Sequence, residues 1–135
     1  AFIPMLMDTG GNCGSQSSTL VIRGLALGEI RPRDALRVLK KELAVSLLCG
    51  AALAAVNFGR ILLFEPQTGA AVALAVSLSL LVTVMVSKCL GGLLPIAAKA
   101  VHLDPAVMAS PLITTVVDAV SLLVYFGFAR AILGI

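Results

Sequence analysis

Residues 105–129, PAVMASPLITTVVDAVSLLVYFGFA, carry one charge, Asp118, at the middle of the stretch. About 20 helical residues, each rising 1.5 Å, cross the hydrocarbon core of a bilayer. A span here puts Asp118 near the midplane, where an ionisable group costs roughly 2.5–3.5 kcal/mol on insertion scales. Such a group needs a partner, a cavity or an ion. Ser110, Thr114 and Asp118 recur every four residues and share one helix face, while Val107, Leu112, Val116, Leu123 and Val124 lie elsewhere around the helix. The polar stripe reads as the wall of a pathway. The stretch sets the fold class as an all-α membrane protein, a polytopic bundle of transmembrane helices.

Composition agrees. Of 135 residues, 59% are hydrophobic and 13% charged. A soluble domain of this length has too little interior to hide so much apolar surface. The net charge of +3 is small and clustered, which points to membrane topology and not to a nucleic-acid partner. Cys13, Cys49 and Cys89 are odd in number and lie in apolar stretches, so they read as buried thiols and not as a disulfide framework. The single histidine, His102, sits in a short polar connection, and no zinc-ligand spacing surrounds it. Nothing pairs a nucleophile with a base and an orienting group, which argues against an enzyme. The chain begins inside an apolar run without an initiator methionine or a basic leader, and reads as a piece of a longer protein.

Four helices are expected, over residues 1–30, 35–64, 70–101 and 105–133. In the first, Asp8, Asn12, Gln16 and Thr19 follow at spacings of four, four and three and form a second polar stripe. Gly10, Gly11 and Gly14 around Asn12 permit close approach of another helix. Asn12 lies at mid-span, as Asp118 does, so the two can meet at one depth. Interhelical hydrogen bonding is the plainer alternative for this stripe.

Residues 23–42 break the apolar pattern with Arg23, Arg31, Arg33, Arg37, Lys40 and Lys41. The positive-inside rule places the 31–42 loop in the cytoplasm, where it also suits anionic lipid or an acidic partner domain. The 65–69 turn has no Lys or Arg and belongs outside; the 99–104 connection, with Lys99, belongs inside. In the second span Asn57 is a candidate for bonding across helices, and Arg60 can snorkel to the interface. Lys88, the only charge of the third span, either snorkels to the cytoplasmic side or pairs with an acid within the membrane. Asp104 before Pro105 caps a helix start, and a carboxylate at a pore mouth also collects cations. Pro111, placed inside the fourth helix, frees the Val107 carbonyl for the pathway.

The two stripes offer a carboxylate, an amide, hydroxyls and a backbone carbonyl, all oxygen ligands suited to hard cations such as magnesium. One Asp118 per chain is a thin site for a divalent ion. A two-fold homodimer supplies two across the axis, and a divalent cation between them relieves their repulsion.

The runs PMLMDTGGNCGSQ (4–16), RGLALGEI (23–30), DPA (104–106), PLITTVVD (111–118) and LLVYF (122–126) resemble the MgtE-type magnesium channels, in the right order along nearly the whole chain. The resemblance implies a homodimer with five transmembrane helices per subunit, the second and fifth lining the pore. It implies cytosolic regulatory domains in the parent chain, and this chain then begins within the second helix and represents the pore domain. Asp118 falls on the central pore aspartate and Asn12 on the asparagine near the ion path. Val107, Ser110 and Thr114 fall on pore-proximal positions, although the family often has asparagine at Ser110. The family passes Mg2+ and also divalent metals such as Mn2+ and Co2+. The expectation is a multi-pass protein of the plasma (inner) membrane that conducts largely hydrated Mg2+, with Asp118, Asn12, Val107, Thr114, Ser110 and Asp104 as metal-contacting residues. An ion-coupled transporter and a non-conducting membrane assembly module are the alternatives.

Overall fold

The computed structural model describes residues 2–108 and 110–134, except for the side chains of Met108 and Ser110. Among the described residues there are four long helices: α1 (Ile3–Ala26), α2 (Ala35–Phe64), α3 (Ala70–Ala100) and α4 (Ser110–Leu133). Short 3-10 turns at Pro32–Asp34, Pro66–Thr68 and Pro105–Met108 precede α2, α3 and α4, and each begins with a proline. Proline is suited to a first helical position, where its missing N–H removes no bond.

The helix ends have local causes. The first helix stops at Ala26, short of the expected residue 30, because the chain turns back on itself. Gly28 takes φ +75°, and the amides of Glu29 and Ile30 donate to the Gly24 carbonyl. The third stops at Ala100, and His102 adopts φ +65° just beyond. The fourth expected helix is divided between the 3-10 turn and α4, with Pro111 in the first turn of α4. The premise that Pro111 frees a carbonyl in mid-helix is therefore not met, and Val107 lies outside α4, in the preceding turn.

Helix α3 is central and packs against the other three, while α1 also packs against α4. The packing follows small residues. Gly14 of α1 lies against Gly91 of α3 so closely that a Cβ on Gly91 would collide with the Gly14 carbonyl oxygen. Gly10 of α1 faces Thr83 of α3 and Val117 and Ser121 of α4. In lipid, close backbone approach of this kind drives helix association, since burying apolar surface gains little there. Three apolar clusters run through the bundle. Val21, Leu25, Val38 and Ile96 form one end, Leu6, Leu80 and Val84 the middle, and Ile61, Ala73 and Val76 the other end. Leu47, Leu48, Val56 and Leu63 of α2 face outward, as lipid-facing side chains do.

Three segments, Pro32–Phe64, Ala70–Ala100 and Pro111–Leu133, are long and apolar enough to cross a membrane. The α1 helix is long enough at 24 residues, but it is the least hydrophobic of the four. The fold is that of a multi-pass membrane protein, all helical among the described residues.

Candidate metal-ion site

Helices α1 and α4 run antiparallel, Gly14 facing Ile113 and Val117 while Gly10 faces Val117 and Ser121. This register sets Thr114 of α4 against Gly11 of α1, with Asp118 one helical turn along α4 toward the Asp8 end of the face. Gly11 allows the approach, since a Cβ there would meet the Thr114 Cγ2 at 3.2 Å.

Between the two helices lies an open groove of about 370 Å³, lined by Met7, Asp8, Gly11, Asn12, Ser15, Thr114 and Asp118. Two polar contacts organise it. Asn12 Nδ2 donates to Asp8 Oδ2 at 3.4 Å, and Ser15 Oγ and Thr114 Oγ1 lie 3.4 Å apart across the helices. Asp8 and Asn12 are exposed on the outer wall, and Asp118 and Thr114 are half-buried. The lining is carboxylate, amide and hydroxyl, with thiols and imidazole absent from it. Magnesium keeps several of its waters and is held through one or two carboxylates. Six waters at about 30 Å³ each take roughly 180 Å³, so the groove has room for a hydrated ion. Among the described residues, no three His, Cys, Asp or Glu side chains converge on one point.

Asp118, Asn12 and Thr114 are brought together in the groove. Asp104 is not with them: it lines a separate cavity of about 180 Å³ with Ile22, Leu25, Ala26, Lys99 and Pro105. Its Oδ1 accepts from the Ala106 amide at 3.0 Å, the bond of a capping residue. Val107 is half-exposed in its 3-10 turn and outside the groove lining. The side chain of Ser110 is outside the described residues.

Asp8 and Ser15 are absent from the expected ligands, yet both line the groove. At about 100° per residue, Ser15 lies 20° from Asp8 around the helix and Gln16 lies 80° away. Angles therefore distinguish Ser15 from Gln16, whereas the four-residue spacing favours the wrong one. Of the two readings of Lys88, pairing with an acid within the membrane is the one observed: its side chain turns inward and stands 3.8 Å from that of Glu42, which the sequence does not single out. Lys88 does not snorkel, and Glu42 belongs to α2 and not to a solvated loop. Asn57 bonds within its own helix, accepting from Arg60 at 3.1 Å, and Arg60 reaches Glu65 at 2.9 Å.

Known proteins match this chain along its length. The profile of the MgtE family, described as divalent cation transporter, matches residues 3–128. The Magnesium transporter MgtE of Thermus thermophilus is 37% identical over 98% of this chain and 29% of its own length. Those of Bacillus subtilis, 35% identical over 96% of the chain, and Enterococcus faecalis, 29% over 95%, are each covered over 28% of their length. The chain thus spans under a third of the curated relatives it matches. It belongs to the MgtE family of divalent cation transporters.

Proposed function

We propose that this chain forms the pore wall of a magnesium channel, with Asp118 as the central ligand of a largely hydrated Mg2+ moving down its electrochemical gradient. The observation that carries this is the groove: two antiparallel helices place Asp8, Asn12, Ser15, Thr114 and Asp118 along one open, oxygen-rich face. An open polar face in a membrane needs cover, because a carboxylate in contact with hydrocarbon costs several kcal/mol. A second copy related by a two-fold axis covers it with the same face and closes a path. The relatives named magnesium transporters support Mg2+ as the substrate, and Mn2+ and Co2+ are the natural competitors at the same oxygens. The membrane is the plasma membrane, with the connection that precedes α2 at Ala35 and the 99–104 connection on the cytoplasmic side. Cytosolic regulatory domains of the parent chain are the further partner.

The test is Mg2+ uptake into proteoliposomes containing the full-length protein, wild type against Asp118→Asn, with the voltage set by a potassium gradient. A charged hydrogen-bonding ligand is worth about 1.5–3 kcal/mol, so uptake is expected to fall roughly 10- to 100-fold while the dimer persists. Unchanged uptake removes Asp118 from the path. Uptake that follows an imposed proton or sodium gradient at fixed voltage makes the protein a coupled transporter instead.

A further inference from the structure

Behind α1, on the side opposite the groove, three polar side chains from three helices meet. Ser17 Oγ donates to Glu42 Oε2 at 2.8 Å. Lys88 Nζ donates to Ser17 Oγ at 3.2 Å and stands 3.8 Å from Glu42 Oε2. Ser17 is fully buried, and the Glu42 and Lys88 side chains retain 9% and 12% exposure. Glycines make the room: a Cβ on Gly92 would meet Glu42 Cγ at 3.1 Å, and Gly91 admits Gly14 of α1. Glu42 is seven residues into α2, so the cluster lies about 10 Å inside the end of that helix.

A buried ion pair is a weak source of stability, and apolar replacement of both partners is often neutral or favourable. What hydrogen bonds add is direction. Apolar packing against α3 lets α1 turn a little about its axis; a serine bonded to both members of an ion pair does not. Ser17 lies about 180° around the helix from Asp8, so whatever fixes Ser17 fixes the groove face. With side chains, a helix has a radius of about 5–6 Å. A 20° turn of α1 therefore moves the Asp8 and Asn12 head groups by roughly 2 Å.

We infer that Glu42 and Lys88, acting through Ser17, are positioning residues for the ion path: they set the rotation of α1 and hence the placement of Asp8, Asn12 and Ser15 opposite Asp118. This rests on the groove being the path. A misplacement of about 1 Å at a reacting site can cost 10²-fold, and a hydrated ion, with its more yielding contacts, is expected to lose roughly tenfold.

The experiment measures Mg2+ uptake against Mg2+ concentration in proteoliposomes of the full-length protein, for Ser17→Ala, the double variant Glu42→Gln with Lys88→Met, and Asp118→Asn. Ser17→Ala deletes the tether and leaves the ion pair. It is expected to raise the half-saturating Mg2+ about tenfold, with at most a modest loss of thermal stability because the ion pair remains. The double variant removes both charges and is expected to match that shift while remaining as stable as wild type. Wild-type half-saturation in Ser17→Ala overturns the inference, and so does a double variant that loses uptake only in proportion to lost stability. If Asp118→Asn abolishes uptake while Ser17→Ala is normal, the positioning role alone fails. If Asp118→Asn leaves uptake intact, the pore assignment fails and the inference with it.

Discussion

Replacing Gly91 by alanine tests the packing that holds the groove together. A Cβ at position 91 collides with the Gly14 carbonyl oxygen and lies 3.0 Å from Gly14 C and 3.1 Å from its Cα. All three atoms are backbone, so no side-chain rotation relieves the overlap. Carbon and oxygen approach to about 3.3 Å at closest in helix interfaces, and α1 and α3 must therefore separate by roughly 1 Å. A gap of that size forfeits a quarter to a half of each contact across the interface. Overpacking of this kind costs about 1–3 kcal/mol, and the better helix propensity of alanine returns up to about 1 kcal/mol. The net expectation is a destabilisation of about 1–2 kcal/mol. Gly59 and Gly127 provide internal controls, because a Cβ at either meets nothing within 4 Å. Gly59→Ala is expected to be neutral or mildly stabilising. The assay is the fraction of protein retained on size exclusion after heating, compared across Gly91→Ala, Gly59→Ala and wild type. A Gly91→Ala protein as stable as wild type, or equal losses in both variants, refutes the close-approach account.

Gly10→Ala is expected to cost about 1 kcal/mol, since its Cβ would meet Thr83 Cγ2 at 2.8 Å and Val117 Cγ1 and Ser121 Oγ at 2.9 Å; adding Thr83→Ser should recover part of that in a double-mutant cycle measured by the same heating assay. Asp8→Asn is expected to slow uptake a few-fold at low Mg2+ and to leave it near normal in excess Mg2+, because an exposed carboxylate concentrates cations more than it binds them. A full loss at all concentrations would make Asp8 a direct ligand. Arg60→Ala removes a half-exposed pair with Glu65 and the donor to buried Asn57 Oδ1, and is expected to cost about 1–2 kcal/mol, most of it from the unpaired amide oxygen, read as a midpoint shift on heating.

The helices were legible because a membrane leaves few choices: long uncharged runs, prolines at the starts, glycine and polar clusters at the ends. The groove is legible on α4, where Asp118 stands as the one charge of an apolar run, and on α1 through the stripe of polar residues around Asn12. Ser15 was hidden by a spacing rule coarser than the helix angle. Glu42 was hidden by its neighbours, since Lys40 and Lys41 make the segment look solvated while Val38, Glu42, Ser46 and Gly50 form a buried stripe. That four-residue stripe of one carboxylate among small and apolar residues was the available signal. Lys88 is legible as a candidate for pairing with an acid, but not which acid: Glu42 lies 46 positions earlier in the chain, and only the packing of α2 on α3 brings the two together. Pro111 is ambiguous in sequence: a proline reads as a mid-helix defect or as a first-turn residue depending on where the helix starts, and the start at Ser110 decides it.

The weak hydrophobicity of α1 has a consequence for how the protein is made. The three described segments long and apolar enough to cross a membrane all follow α1 in the chain. Its packing partner α3 is complete only at residue 100, some 74 residues after α1 ends at Ala26. At roughly 5–20 residues per second of synthesis, α1 waits about 4–15 s before the helix that shelters its glycines exists. During that interval it must be kept at the insertion machinery or at the membrane surface. Variants that make α3 slower to insert should then appear first as degraded nascent protein, before any defect in the finished protein can be seen.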